Sequence, residues 1–138
     1  MGLKEKMFRK KFNNSSQGKQ KFYKSVNHAL DGISYVTEKE RNFKIEIIIG
    51  IVVSILGIYL NISKEEWLIL ILTISHVLTF EMINTALERA VDLVTKEYQE
   101  LAKISKDVSA GAVLIASLFS VIIGIIIFLP KLIETIYR

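Results

Sequence analysis

The sequence predicts an all-α membrane protein with an N-terminal amphipathic interfacial helix followed by three transmembrane helices. Hydrophobic residues make up 51% of the 138-residue chain and charged residues 23%, and the two kinds are segregated along it. Several apolar runs approach the ~20 residues that a membrane-spanning helix needs. A soluble domain of this size is too small to bury all of these runs, so the bilayer must serve as their solvent.

The N-terminal segment is basic and divides into two parts. Residues 1–20 show no sustained hydrophobic period and are predicted to be a flexible tail; residues 21–138 are predicted to form one integral membrane domain. From about residue 21 to residue 40, apolar residues recur at steps of three and four, which is typical of an amphipathic helix. Its place just before an apolar run favours a helix that lies in the membrane interface, and the alternative is a soluble helix packed on a partner.

Three apolar segments predict the membrane spans, at about 45–62, 67–95 and 108–130. Glu46 is the one charged residue of the first, close enough to its start to reach the interface. Ser63-Lys-Glu-Glu66 predicts a capping box that opens the next helix. That helix is ~43 Å long at 1.5 Å per residue and must project beyond a hydrocarbon core of ~30 Å. The third segment contains 23 residues without a charge.

Small residues recur on two of these segments at steps of three and four. Such ridges favour close helix packing, within one chain or between copies. They are Gly50, Ser54 and Gly57 in the first segment and Ala112, Ala116, Ser120 and Gly124 in the third. His76, with no second metal-ligating residue at ligand spacing, is predicted to be a hydrogen-bonded packing residue, and His28 indicates no function.

The distribution of Lys and Arg predicts the orientation. Eleven of the eighteen precede the first span, one lies between the first two spans, four lie in 89–107 and two follow the third. The positive-inside rule puts the N-terminus and the 89–107 loop in the cytoplasm, and the C-terminus outside the inner membrane. Positive charge next to an apolar run fits anionic lipid better than nucleic acid, so no nucleic-acid partner is expected.

Other site classes are excluded by what the sequence lacks. There is no cysteine, so neither a disulfide nor a thiolate metal site is possible. There is no Gly-rich phosphate loop, so any nucleotide site must be built from side chains. About forty polar or amphipathic residues precede the first apolar run, and no cleavable signal peptide is expected.

A polar stripe runs along the second half of the second span. Glu81, Asn84, Glu88 and Asp92 follow one another at steps of three, four and four, which places them within roughly 80° of one helix face. Glu81 lies about 21 Å along the helix from Trp67, still inside the hydrocarbon. An ionisable group at that depth is a candidate functional residue. The alternative is a protonated or paired Glu81 that only fixes packing.

Two further charged clusters are predicted at the same membrane level. Residues 38–44 precede the first span, and residues 103–107 precede the third. Carboxylates and lysines from these helices would suit Mg²⁺ and a polyphosphate, because Mg²⁺ prefers oxygen ligands and substrate phosphates. Taken singly, each cluster is more often ordinary interfacial charge, and it is their shared membrane level that favours a site.

Three segments resemble the prokaryotic diacylglycerol kinase family, and most closely its Gram-positive branch, which acts as undecaprenol kinase. They are Glu40–Lys44 (ERNFK), Glu81–Asp92 (EMINTALERAVD) and Lys106–Val113 (KDVSAGAV). The resemblance covers about residues 20–130. It implies ATP-dependent phosphorylation of a membrane lipid alcohol with Mg²⁺ as cofactor, in a homotrimer with active sites shared between subunits.

The resemblance also implies roles for individual residues. Glu81 is expected to be the general base for the lipid hydroxyl, and Glu40 and Glu88 to bind Mg²⁺. The nucleotide-binding residues implied are Lys21, Lys24, Glu40, Asn84, Glu88, Lys106 and Asp107, and the substrate-binding residues are Glu81 and Asn84. Ser105, Ser109 and Gln99 depart from the residues usual in that branch.

Other functions stay open at this point. Diacylglycerol is the alternative lipid substrate. A small proton- or cation-coupled transporter that uses Glu81 is the alternative of another class, although the first half of the second span offers it few polar groups. A non-enzymatic membrane assembly factor would use the small-residue ridges and leave the polar stripe unexplained.

Overall fold

A computed structural model of the chain describes the backbone of residues 3–137 and the side chains of residues 21–137. The described backbone forms four helices: α1 Leu3–Lys39, α2 Arg41–Tyr59, α3 Lys64–Val94 and α4 Glu100–Ile136. Three of them, α2, α3 and α4, are long and apolar enough to cross a membrane. The predicted all-α class and the three spans are therefore confirmed. The chain divides into two compact units, Met1–Glu38 and Lys39–Arg138.

The first unit consists of α1. Its backbone is helical from Leu3, earlier than the start near residue 21 that the apolar stripe predicted. The side chains of residues 1–20 lie outside the described residues, so the flexible tail stays a prediction. Phe22, Val26, Leu30 and Ile33, which follow one another at helical spacing, are all exposed.

In the second unit, a tight turn joins α2 and α3 into a hairpin. Helix α2 ends at Tyr59, and Asn61 takes a positive φ of 52°, a conformation that asparagine tolerates better than most residues. The backbone N–H of Ile62 donates to the Gly57 carbonyl over 3.2 Å. The span predicted for residues 45–62 therefore ends as a helix at Tyr59, and residues 60–62 form the turn. A Cβ on Gly57 would lie 3.2 Å from the Trp67 ring, so the turn requires a small residue there.

The predicted capping box at the start of α3 is confirmed. The backbone N–H of Glu66 donates to Ser63 Oγ over 3.2 Å, and the backbone N–H of Ser63 donates to Glu66 Oε2 over 2.6 Å. The same Glu66 oxygen lies 3.2 Å from Lys131 Nζ on α4. One carboxylate thus caps α3 and fastens α4 to it.

The main apolar core lies beside this hairpin. Its buried members are Ile62, Leu70, Ile127 and Phe128, which come from the turn, α3 and α4. We call this part of the bundle the hairpin end. Outside this core most large apolar side chains of α2–α4 are exposed, including Ile48, Leu72 and Ile126. Exposed apolar helix faces of this extent suit contact with lipid or with other membrane helices.

The two small-residue ridges differ in how closely other side chains approach them. A Cβ on Gly50 would meet Ile74 of α3 at 3.1 Å, so the α2 ridge permits a close approach, as predicted. Nothing lies within 4 Å of the corresponding position on Gly124 of α4. His76 packs edge-on against Phe80 at 4.9 Å between ring centroids, and no hydrogen bond of its ring is seen among the described residues.

Helix α4 is longer than its charge-free run. It continues through Pro130 to Ile136. A proline removes one backbone donor from a helix, which membrane helices tolerate because neighbouring groups compensate. Both α3 and α4 are long enough to project beyond the hydrocarbon.

Candidate active site

The polar stripe of α3 passes from a buried to an exposed environment, as the sequence predicted. Glu81 is only 3% exposed, Asn84 and Glu88 are half-buried, and Asp92 is exposed. One helix face therefore leads from the apolar interior to its polar surroundings. We call the part of the bundle that contains this stripe the acidic end.

Three carboxylates converge at the acidic end. Glu40 and Glu88 both lie close enough to Glu81 for their negative charges to act on it. Glu40 is the N-cap residue of α2, and its backbone, not its side chain, makes the capping contact. Its carboxylate therefore remains available to α3. The predicted meeting of residues from the first two spans is seen in the structure.

Glu81 has one polar neighbour from α2. The side chain of Asn42 donates a hydrogen bond to the Glu81 carboxyl. A buried carboxyl costs several kcal/mol unless it is paired or protonated, and Asn42 supplies such a partner from α2.

The carboxylate of Glu40 is held by an arginine from α3. Arg89 Nη2 donates to Glu40 Oε1 over 2.7 Å, with 50% of the arginine side chain and 21% of the glutamate side chain exposed. Arg89 directly follows Glu88 in sequence. The contact therefore holds the start of α2 against the part of α3 that carries Glu88.

A hydrogen-bonded chain links α4 to Glu88. Ser109 Oγ lies 2.6 Å from Asn84 Oδ1, and Asn84 Nδ2 donates to Glu88 Oε1 over 3.2 Å. An ionised carboxylate only accepts hydrogen bonds, so it requires the NH₂ side of the amide. The amide oxygen then faces Ser109, which donates its proton to it. The Lys106 carbonyl, 2.9 Å from the same hydroxyl, is the competing acceptor.

The two predicted site residues at the start of α4 form ion pairs. Lys106 Nζ lies 2.5 Å from Asp92 Oδ1 on α3, and Asp107 pairs with Lys103 one turn earlier. These side chains help to line a polar cleft of about 380 Å³ between the end of α3 and the start of α4. The cleft borders the stripe at Asp92.

Lys21 and Lys24 lie on α1, and both side chains are exposed. They belong to the first unit, whereas Glu40, Glu81 and Glu88 belong to the second. Their expected contacts with phosphate stay a prediction.

The sequence placed Glu46 close enough to the start of the first span to reach the interface, and the structure adds that its side chain lies partly inside the bundle. Glu46 is half-buried, its charge acts on Glu81, and its Oε2 is buried with no hydrogen-bond partner among the described residues. It lines a mainly apolar cavity of about 270 Å³ between α2, α3 and α4. The sequence did contain a signal for Glu46, because a carboxylate inside an apolar run is a candidate functional group wherever it lies.

The capacity of this site for a metal ion is limited. In the part of the chain that the structure describes, no three His, Cys, Asp or Glu side chains are grouped closely enough to hold a metal ion. Glu40 and Glu88 offer two carboxylates from adjacent helices. Mg²⁺ commonly takes one or two carboxylates and completes its shell with phosphate oxygens and water, so this donor set fits a Mg²⁺ ion whose other ligands are water or phosphate oxygens.

Comparisons with known proteins agree on one family. The model of the prokaryotic diacylglycerol kinase family matches residues 27–128. The undecaprenol kinase of Bacillus subtilis is 43% identical over 112 residues, which cover 81% of this chain and 91% of that protein. The diacylglycerol kinase of a Synechocystis strain is 41% identical over 111 residues, which cover 80% of this chain and 63% of that protein.

A relative with lower sequence identity is also named as a diacylglycerol kinase. The diacylglycerol kinase of Escherichia coli is 28% identical over 109 residues, which cover 79% of this chain and 89% of that protein. These relatives are named as kinases, which favours the kinase over the transporter and the assembly factor. Since the family match spans all three membrane helices and the converging carboxylates, the chain belongs to the prokaryotic diacylglycerol kinase family and is a lipid kinase.

Proposed function

We propose that this lipid kinase transfers the γ-phosphoryl group of ATP to the hydroxyl group of undecaprenol at the cytoplasmic face of the membrane. The observation that carries the proposal is the convergence of Glu40, Glu81 and Glu88 at the acidic end. One of these carboxylates is buried and two are partly exposed. A lipid hydroxyl at the headgroup boundary and a nucleotide arriving from water would meet between them.

In this proposal Glu81 is the general base. The lipid hydroxyl oxygen attacks the γ-phosphorus, its proton passes to the Glu81 carboxylate, and the bond from the γ-phosphorus to the bridging oxygen of ADP breaks. Asn84 lies one turn away on the same face of α3 and would help to position the substrate. Proton transfer to a positioned base contributes about 10²–10⁴-fold to such reactions.

Glu40 and Glu88 are the proposed ligands of Mg²⁺. A bound Mg²⁺ would supply charge neutralisation on the phosphate oxygens, which is the main requirement of phosphoryl transfer. The Ser109–Asn84 chain supports the role of Glu88, because it holds that carboxylate in one orientation.

The nucleotide is proposed to bind beside Lys106 and Asp107, in the polar cleft between α3 and α4. The volume of the cleft, about 380 Å³, suits part of a nucleotide, and its lysines would attract the triphosphate. Lys21 and Lys24 of α1 are proposed as further phosphate contacts. Both are exposed cations on the helix that precedes Glu40.

Undecaprenol is proposed as the substrate because the 43%-identical relative is named undecaprenol kinase. Diacylglycerol is the second candidate, since a relative at 41% identity is named diacylglycerol kinase. The lipid chains would lie along apolar helix faces, which discriminate weakly between hydrocarbons. The difference must therefore be measured with both lipids.

The membrane arrangement is also part of the proposal. The Lys and Arg distribution supports an N-terminus and an 89–107 loop in the cytoplasm, with the C-terminus outside the inner membrane. The exposed apolar stripe of α1 supports an interfacial position for that helix. The open α4 ridge at Gly124 supports packing against other copies, in the homotrimer with shared active sites that the family resemblance implies.

An assay with two lipids tests the proposed function. The purified full chain, reconstituted in phospholipid vesicles with Mg²⁺ and radiolabelled ATP, would be given undecaprenol or diacylglycerol at equal mole fraction. We expect label in undecaprenyl phosphate and a higher kcat/KM for undecaprenol. A higher kcat/KM for diacylglycerol would select the second candidate, and no labelled lipid from either would reject the kinase.

Labelling of single cysteines tests the orientation. The chain has no natural cysteine, so Lys64→Cys and Lys96→Cys each introduce a unique thiol. In intact spheroplasts, a membrane-impermeant maleimide should label position 64 and spare position 96. The reverse pattern would contradict the proposed topology.

A further inference from the structure

The ion pair between Arg89 and Glu40 places a cation on a carboxylate that the proposed function assigns to Mg²⁺. Nη2 of Arg89 and Oε1 of Glu40 are 2.7 Å apart, a full charge-assisted hydrogen bond. The guanidinium therefore supplies, at Glu40, the positive charge that Mg²⁺ would otherwise supply.

The acidic end needs such a charge. Glu40 and Glu88 both act on Glu81 as like charges, and Glu81 acts in the same way on a fourth carboxyl, Glu46. Like charges close to one another repel, and the repulsion is stronger where water is excluded. Arg89 offsets part of this repulsion from within the chain.

The same arginine has a second acidic neighbour on α3. Half of its side chain is exposed, and its charge also acts on Asp92, three residues further along α3. Residues three apart on a helix are neighbours, so Asp92 offers the guanidinium a second position nearer to water. Glu40, at the N-cap of α2, is fixed in place by its backbone.

We propose that Arg89 is a resident counter-ion of the metal site, which leaves Glu40 when a divalent cation binds there. The inference rests on the proposed function, since it takes Glu40 as a metal ligand. A guanidinium and a divalent cation on one carboxylate repel each other, so binding of the ion favours displacement of the arginine. Once released, the guanidinium lies on the side of the site from which the triphosphate of ATP arrives, and arginine pairs well with phosphate oxygens.

The consequence for binding is a weakened affinity for the free ion. Removing Arg89 should tighten divalent-cation binding, although it also removes a helix-to-helix contact. A residue with a merely structural role would have the opposite effect, because a loosened site binds its ligand less well. The direction of the change therefore distinguishes the two roles.

Direct titration of Mn²⁺, followed by electron paramagnetic resonance without nucleotide, measures this affinity. We expect Arg89→Gln to lower the Kd for Mn²⁺ by about two- to fivefold, the effect of losing one partly exposed ion pair. Arg89→Lys keeps the charge and should bind as the wild type does. Arg41→Gln is the matched control, because it removes an exposed cation next to Glu40 in sequence and should leave the Kd unchanged.

A double-mutant cycle makes the test specific. In a Glu40→Gln background the carboxylate that Arg89 neutralises is gone, so Arg89→Gln should no longer tighten Mn²⁺ binding. An unchanged or higher Kd in Arg89→Gln protein whose helicity and thermal unfolding match the wild type would overturn the inference. Equal tightening in Arg41→Gln would also overturn it, as a general charge effect.

The proposed function is tested separately in the same samples. Lipid phosphorylation by the wild-type protein would be measured beside the Mn²⁺ titration. A wild type without turnover would reject the kinase chemistry, whereas the order of Mn²⁺ affinities would remain readable because it requires no turnover.

Discussion

The two ends of the α2–α4 bundle are built on opposite principles. At the hairpin end, apolar side chains from the turn, α3 and α4 are buried together, and the polar groups of Ser63, Glu66 and Lys131 satisfy one another. At the acidic end, carboxylates crowd together with the same charge, and one oxygen of Glu46 has no hydrogen-bond partner among residues 21–137.

The difference shows how stability and function are divided along the helices. The hairpin end holds α3 and α4 in register, so the acidic end can carry groups that destabilise the fold. Functional sites commonly contain such unfavourable groups, and the remaining structure compensates for them. Substitutions at the acidic end should therefore alter turnover, and those at the hairpin end should alter stability.

The largest expected effect is on catalysis, in Glu81→Gln. The amide cannot accept the proton of the lipid hydroxyl, so kcat should fall by at least about a hundredfold. Stability should stay the same or rise, because a buried charge among like charges is removed. Glu134→Gln, an exposed change near the end of α4, is the control and should keep wild-type turnover. Full activity in Glu81→Gln would reject the base assignment.

The second effect is on stability, in Leu70→Ala at the hairpin end. Leu70 is 3% exposed in the apolar core, and truncation of a buried leucine costs about 2–5 kcal/mol. Unfolding in mixed micelles would measure this loss of stability. The turnover of the folded fraction should remain within about twofold of wild type, because Leu70 is remote from Glu81 along α3. Leu72→Ala, on the exposed face of α3, is the matched control. A large loss of kcat in folded Leu70→Ala protein would contradict the division between the ends.

A smaller effect, again on catalysis, is expected for Ser109→Ala. The change removes the donor that orients Asn84 toward Glu88, and one such hydrogen bond corresponds to about three- to tenfold in rate. The Mg²⁺ concentration for half-maximal activity should rise, whereas a loss of packing alone would leave it unchanged. Ser109→Thr keeps the hydroxyl and should restore most of the activity.

The control for Ser109 lies one turn earlier on α4. The hydroxyl of Ser105 donates to the carbonyl of Leu101 in its own helix. Ser105→Ala should therefore leave both the rate and the Mg²⁺ dependence unchanged. An equal effect of the two substitutions would remove the special role of Ser109.

The smallest effect is expected for Ser63→Ala. It removes one half of the capping box at the start of α3, which typically costs about 1 kcal/mol of stability. Turnover should not change, because the acidic end lies at the far end of α3. Ser75→Ala, whose hydroxyl donates only within α3, serves as the control for thermal unfolding.

The features that could be predicted from the sequence are those that one helix determines alone. The three spans, the capping box at Ser63 and the stripe from Glu81 to Asp92 follow from composition and periodicity. The meeting of Glu40 with Glu81 and Glu88 followed from the equal membrane level of their helices. Periodicity assigns residues to one face of a helix, and this was the property it predicted correctly.

The missed features all depend on how one helix is rotated against another. The inward direction of Glu46, the pair of Arg89 with Glu40 and the contact of Ser109 with Asn84 each join two helices or turn a side chain into the bundle. Helix rotation is set by the packing of side chains such as Ile74 against Gly50. That packing is a property of the assembled bundle and cannot be read from a single helix.

The unequal lengths of the helices have a consequence for the surroundings of the protein. Helix α2 has 19 residues and extends about 28 Å, whereas α4 has 37 residues and extends about 55 Å. The charge-free run of α4 alone exceeds the thickness of a typical hydrocarbon layer, and such mismatch is relieved by tilt or by local thickening of the bilayer. We therefore expect lipid acyl length to change the tilt of α4, and with it the contact that Ser109 makes with Asn84 on α3.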